Sequence, residues 1–156
     1  MVNLAGQEQK EHRHMLGAGA GFTFIPLGNL LEDTDARGLF APTLGLDYFY
    51  HFHPRWGIGF LSALELDSYV VTDEQVEREN AMIFTVVGMF SATRYLDFFA
   101  GGGIEVEQHD DRAVLRLGTQ YSIDVGKHSA LVPKLHFDFK ENYSTWSLAL
   151  SFARKL

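Results

Sequence analysis

The sequence predicts an all-β chain that closes into an up-and-down antiparallel barrel of about eight strands. Three observations carry this. From Met15 onward, large apolar residues alternate with small or polar ones at nearly every step, the period-two signature of strands with two unlike faces. No segment shows convincing helical periodicity, although the chain is rich in glycine (15 residues) and aromatics (13%). The connections alternate between long and short, as in a run of hairpins with two distinct ends.

Each strand can be placed in order. The first runs from Leu16 to Pro26. In the second, Leu44, Leu46, Tyr48 and Tyr50 alternate with Thr43, Gly45, Asp47, Phe49 and His51. In the third, Trp56, Ile58, Phe60, Leu64 and Leu66 alternate with Gly57, Gly59, Leu61, Ala63, Glu65 and Asp67. Met82 to Thr93 is the fourth, less regular. Phe98, Ala100, Ile104 and Val106 define the fifth against Phe99, Gly101, Gly103, Glu105 and Glu107. Leu115, Leu117, Tyr121 and Ile123 define the sixth against Arg116, Gly118, Gln120, Ser122 and Asp124. The seventh sets Leu131, Pro133, Leu135, Phe137 and Phe139 against Val132, Lys134, His136, Asp138 and Lys140, and Trp146 to Phe152 is the eighth. Each is near the ~10 residues that cross a bilayer at a tilt. Pro42 and Pro133 each remove a ladder donor, which suits positions close to strand ends. The segments Leu27 to Arg37, Val71 to Asn80 and Gln108 to Arg112 are longer and acidic, whereas His53-Pro54-Arg55, Thr93-Arg94-Tyr95 and Gly126-Lys127-His128 are tight and basic. An even strand number places both termini at the short-turn end.

Composition bounds the class. A chain of 156 residues suits one domain. Residues 1–14 read as a flexible N-terminal segment, with Leu4-Ala5-Gly6 resembling the end of a signal peptide, and 15–156 as the barrel. The absence of cysteine excludes disulfides and thiolate chemistry. A net charge of -7 and a pI near 5.4 argue against nucleic acid as a partner. The mean hydropathy of -0.06 and the lack of a run of roughly 20 apolar residues exclude a membrane helix.

Alternation alone does not say which face is buried. A soluble lipocalin-like barrel binding an apolar ligand turns its large apolar face inward, and a membrane barrel turns it toward lipid. The polar face carries Gly17, Gly19, Gly21, Gly45, Gly57, Gly59, Gly101, Gly103 and Gly118, which suits a cramped interior and gains nothing in water. The large face carries Tyr48, Tyr50, Trp56, Tyr95, Tyr121 and Trp146 near strand ends, where membrane-interface aromatics belong. Both favour the membrane barrel.

The segment Thr43-Leu44-Gly45-Leu46-Asp47-Tyr48-Phe49-Tyr50 runs through a tight proline turn into Trp56-Gly57-Ile58-Gly59, and the last strand is Trp146 to Phe152. Through these residues the chain resembles the small eight-stranded bacterial outer-membrane barrels of the OmpA and OmpX type, over about residues 15 to 152. The family's terminal signal ends on an aromatic residue, whereas Ala153-Arg154-Lys155-Leu156 follow Phe152 here. The resemblance implies a bacterial outer-membrane location with both termini periplasmic. It also implies contact with the lipid bilayer and lipopolysaccharide, and an outer-membrane protein as a candidate partner.

Within such a lumen, pairing around Lys127 places Asp138 beside Arg116 and His136 beside Gly118. Closure around Asp110-Asp111 brings Glu105 to Arg116, and closure at Asn142 brings Ser147 or Ala149 to His136. Glu65, Asp67, Glu105, Glu107, Arg116, His136, Asp138 and Lys140 thus form an expected ion-pair network toward the long-loop end. Phe49, Leu61 and Phe99, with glycines, fill the other end as a plug. Carboxylates outnumber cations at that level, so a cation-holding or proton-linked role is a second reading. A third is a lipid A-modifying enzyme using Ser147, His136 and Asp138 or Glu105, although the His-x-Ser motif of the deacylases is missing. Neither cofactor nor catalysis is expected. His12-Arg13-His14 and His51-Phe52-His53 share one rim, but His14 and His51 fall in opposite phases, which opposes a joint metal site. The acidic loops (Glu32 to Asp35; Asp73, Glu74, Glu77 and Glu79) read first as solvated surface, and adhesion, docking within a larger membrane complex or no specific role are all compatible with them.

Overall fold

The computed structural model of the chain describes residues 13–25, 39–66, 68–71, 76–107, 111–141 and 143–156. Its strands are β1 (His14–Ile25), β2 (Leu39–His53), β3 (Trp56–Glu65), β4 (Ser68–Val71), β5 (Val76–Glu79), β6 (Met82–Ser91), β7 (Leu96–Val106), β8 (Arg112–Tyr121), β9 (Ile123–Asp124), β10 (Ser129–Lys140) and β11 (Ser144–Lys155). The sheet runs β11-β1-β2-β3-β6-β7-β8-β10, and β10 pairs with β11 to close it. With β9 continuing the wall of β8, the wall is eight antiparallel strands. Every edge is paired.

Register fixes the tilt. Starting at Lys140, the ladder passes Val114, Gly103, Thr85, Leu61, Asp47, Gly17 and Ala153 to reach Ala130, ten residues back along the same strand. That stagger tilts the strands and leaves an interior that side chains alone can fill.

At two seams neighbouring backbones crowd the inward side. A Cβ built on Gly19 or Gly21 of β1 lies 2.6 or 2.5 Å from the Cα of Ser151 or Ala149 on β11. On Gly101 or Gly103 of β7 it lies 2.6 or 2.7 Å from the Cα of Val87 or Thr85 on β6. These seams stand directly across the barrel from each other. Glycine is required because the inward faces of the paired strands fold onto one another there, leaving no room for a side chain.

Four details differ from the sequence expectation. His14 belongs to β1 and not to the N-terminal segment; residues 1–12 lie outside the described residues. The stretch read as a long loop between the third and fourth strands holds a small hairpin, β4–β5, and the left-handed Asn80 (φ 53°) then leads into β6. The last strand continues through Lys155, past the aromatic position. Finally, Pro133 sits well inside β10, opposite Leu150 of β11. On its other side, pairing lapses between Lys134↔Gln120 and Leu131↔Ile123, then resumes in the same register. Pro133, opposite Tyr121 in this register, has no N–H to give the Tyr121 carbonyl, while the Ser122 N–H points to the other neighbour and donates to the Tyr95 carbonyl at 2.8 Å. This is why one wall strand divides into β8 and β9.

Candidate functional site

The inward phase of every wall strand builds the interior. Toward the short turns it is apolar: Met15, Phe49, Leu61, Val87, Met89, Phe99, Ala130, Val132 and Ala153 form one buried cluster. Phe49 stands opposite Gly59 and Phe99 opposite Gly118. A Cβ on Gly59 would lie 2.5 Å from Phe49 Cε1, and one on Gly118 2.6 Å from Phe99 Cε2. Each ring lies across the backbone where a side chain is absent. Nearby, Asp97 accepts from the Ser91 hydroxyl at 2.6 Å and from Gln120 Nε2 at 3.2 Å.

Above this plug the interior is charged. Arg116 Nε and Nη2 each donate to Asp138 at 2.7 Å, both residues being 1% exposed. This two-pronged geometry is the strongest form of a guanidinium–carboxylate pair. Lys134 pairs across the lumen with Asp47, which also accepts from Ser151 at 3.3 Å. The Lys134 ammonium lies 5.7 Å from the centre of the Phe49 ring. His136 stands opposite Gly118 on one side and Ser147 on the other. It lines a cavity of about 30 Å³ shared with Gly19, Gly45 and Asp47, and its Nδ1 has no hydrogen-bond partner. A volume of that order holds about one water.

The long-loop end is organised by Lys140. Its ammonium pairs with Glu105 and stands 4.0 Å from Glu65. Tyr143 joins them: its hydroxyl donates to Glu105 at 3.3 Å, and its ring lies 4.9 Å from Lys140 Nζ. Beside them Thr23 bonds Thr43 at 2.9 Å and Ser147 at 2.7 Å, knitting β1 to both neighbours.

Glu65, Glu105, Arg116, His136, Asp138 and Lys140 therefore all face the interior, Glu107 lies just beyond β7 at the same end, and Asp67 lies outside the described residues. One pairing is corrected. Glu105 stands opposite Arg112, while Arg116 stands opposite Gly101. The expected register would have taken Phe99 away from Gly118, the position without a side chain that accommodates its ring. As for the cation reading, the Lys140 ammonium sits between the Glu65 and Glu105 carboxylates. Among the described residues no group of His, Asp and Glu has metal-site spacing. His14 is exposed, with its Nδ1 2.6 Å from the Tyr48 hydroxyl, and His51 is buried. The set of Ser147, His136 and Asp138 is adjacent in register, but both Asp138 oxygens are held by Arg116.

Sequence reasoning missed the Lys134–Asp47 pair, the Thr23 hub and Tyr143. Lys134 and Asp47 alternate in the inward phase, so each could be placed inside. Their meeting could not, because β1 and β11 stand between their strands.

The outer wall is apolar. Leu46 is 60% exposed, Phe152 54% and Leu115 54%. Tyr48, Tyr50, Trp56, Tyr95 and Tyr121 lie toward the short turns, where Trp56 meets Phe90 at 5.0 Å and Tyr95 meets Tyr121 at 6.0 Å. Trp146 stands at the other end with Phe24 and Phe40, at 5.4 and 6.2 Å. Between these belts a ten-residue strand such as β3, rising ~3.3 Å per residue at a ~40° tilt, spans about 25 Å, the height of a lipid-facing band.

No known family and no curated protein sequence matches the chain. Solved structures do. Neisserial surface protein A (NspA) aligns over 92% of this chain and 97% of its own, with a TM-score of 0.61 at 8% identity. Ail, the attachment invasion locus protein of Yersinia pestis, aligns over 92% and 99%, with 0.55 at 13%. The N-terminal barrel domain of Pseudomonas aeruginosa OprF aligns over 93% and 98%, with 0.53 at 11%. Closed wall, inward charge, outward apolar face and these likenesses agree: the chain has the fold of the small eight-stranded outer-membrane β-barrels.

Proposed function

We propose that the protein is an integral barrel of the bacterial outer membrane with an occluded polar lumen and a structural or interaction role, without catalysis. The carrying observation is its inverted polarity: Arg116, Asp138, Glu65 and Glu105 are each at most 1% exposed, while leucines and phenylalanines cover the outside. In water this distribution would expose apolar surface on every side, and in lipid it is satisfied. Phe49, Leu61 and Phe99 support occlusion, since each is no more than 3% exposed. The non-catalytic reading is supported by the Arg116 clamp on Asp138, which leaves His136 without an orienting carboxylate. The short-turn end, where His14 and Leu156 meet, is assigned to the periplasm. The acid-rich long connections are assigned to the lipopolysaccharide side, as the surface for adhesion or for docking a membrane partner; residues 26–38, 72–75 and 108–110 of them lie outside the described residues.

The test is solubility and the sign of an outward substitution. The protein is expected to need detergent and to migrate anomalously on gels unless boiled. Leu46→Arg, at the middle of β2, is expected to destabilise the barrel in vesicles by about 2–4 kcal/mol, as for a cation at the bilayer midplane. A protein that stays monodisperse without detergent, and gains solubility from Leu46→Arg, is the soluble barrel instead.

A further inference from the structure

Among the described wall strands, one charged side chain stands in the outward phase: Arg154 of β11. Every other described Asp, Glu, Lys or Arg of the wall is in the inward phase. Arg154 pairs in register with Leu16 of β1 and with Ser129 of β10, both also outward. The Ser129 hydroxyl and the guanidinium thus emerge side by side from adjacent strands, at the cross-strand distance of about 5 Å. No ion pair joins Arg154 to another described residue.

The pair sits at the short-turn end, at the depth marked by Tyr48, Trp56 and Tyr121. A cation facing lipid is costly at the midplane and nearly free at the interface, where the group it meets is a headgroup phosphate. The surrounding rim is basic. Arg13, Arg55, Arg94 and Lys127 are all exposed there, and among the described side chains at this end the exposed carboxylate, Asp124, is bonded to Lys155. This sign is opposite to the net charge of the whole chain.

We infer that Arg154 and Ser129 form a headgroup site for an anionic phospholipid in the leaflet reached by the short turns. The guanidinium grips two phosphate oxygens, the Ser129 hydroxyl donates to the same phosphodiester, and the basic rim raises the local concentration of anionic lipid. Leu16 and Leu131, outward neighbours on β1 and β10, offer the acyl chains an apolar track below the headgroup. The inference rests on the membrane reading above.

The test uses the full chain folded in zwitterionic micelles, titrated with phosphatidylglycerol and phosphatidylcholine and read by native mass spectrometry. The protein should retain phosphatidylglycerol in preference to phosphatidylcholine. Arg154→Gln should weaken phosphatidylglycerol binding about tenfold, as for loss of a charge-assisted bond. Ser129→Ala, which leaves every charge in place, should weaken it about fivefold. Arg94→Gln lies in the β6–β7 turn, across the barrel from the β10–β11–β1 wall, and should change it less than about twofold, its charge being screened at that separation. Equal retention of the two lipids overturns the inference. So does unchanged binding in Ser129→Ala, or an Arg94→Gln loss equal to that of Arg154→Gln, which would mean a diffuse field and no site. A protein that folds in micelles without lipid preference sinks this inference alone; one that needs no detergent sinks the membrane reading.

Discussion

Gly103→Val should leave the chain largely unable to close its barrel, while Gly88→Val should fold normally. The two substitutions add the same side chain to neighbouring strands and differ only in what it meets. At Gly103 the added Cβ would lie 2.7 Å from Thr85 Cα, backbone that cannot rotate away. At Gly88 the nearest atom stands 3.9 Å off, and the side chain would point away from the barrel interior. Overpacking a core costs about 1–3 kcal/mol when side chains can shift; here the partner is a strand of a closed ladder, so the cost lies at or above that range. Valine also favours the strand conformation, which makes Gly88→Val neutral or mildly stabilising. The folded fraction in vesicles, read as the unboiled gel species, and the urea midpoint check both. Equal folding of the two variants would mean that the β6–β7 seam is not a corner, and that the glycines serve only to make space.

The same glycines mark the boundary of what sequence could reveal. Their count on one face argued for a cramped interior, and the alternation placed almost every wall residue on its correct side. Pairings across tight turns were also legible: the turn at Lys127 sets β8 against β10, so Asp138 meets Arg116 and His136 meets Gly118. Across the longer connection after β7 the register was misread, because a loop of several residues does not dictate pairing. The fit of Phe99 over Gly118 decides it instead. Contacts across the lumen were hidden altogether. Lys134 and Asp47 stand on β10 and β2, and Lys140 and Glu65 on β10 and β3; only the closed circumference and its stagger bring these strands face to face. The division of β8 from β9 was written in Pro133, but reading it needed the residue opposite.

Arg116→Leu should destabilise the barrel by about 3–5 kcal/mol, and Arg116→Leu combined with Asp138→Leu should recover most of that loss. The asymmetry follows from where the cost of a buried charge arises. In the native lumen both Asp138 oxygens are saturated by one guanidinium at 2.7 Å, so the desolvation of two charges is offset by their attraction. Removing Arg116 alone strands a carboxylate at 1% exposure, where water is excluded, and the nearest other cations, Lys134 and Lys140, are committed to Asp47 and Glu105. Removing both charges removes the desolvation cost along with the attraction, leaving aliphatic side chains above an already apolar plug. Arg116→Lys should fall between, since an ammonium keeps the charge but not the two-pronged contact. Urea unfolding in the same vesicles for the four proteins gives the ordering directly. If the double variant is as unstable as Arg116→Leu, the guanidinium holds the lumen through its bulk and contacts, and the stranded-charge account is wrong. If the double variant recovers, Arg116 and Asp138 act as one neutral brace across adjacent strands. That outcome would identify the charged layer as part of the wall's own construction, consistent with an interaction role carried by the outside of the barrel and its loops.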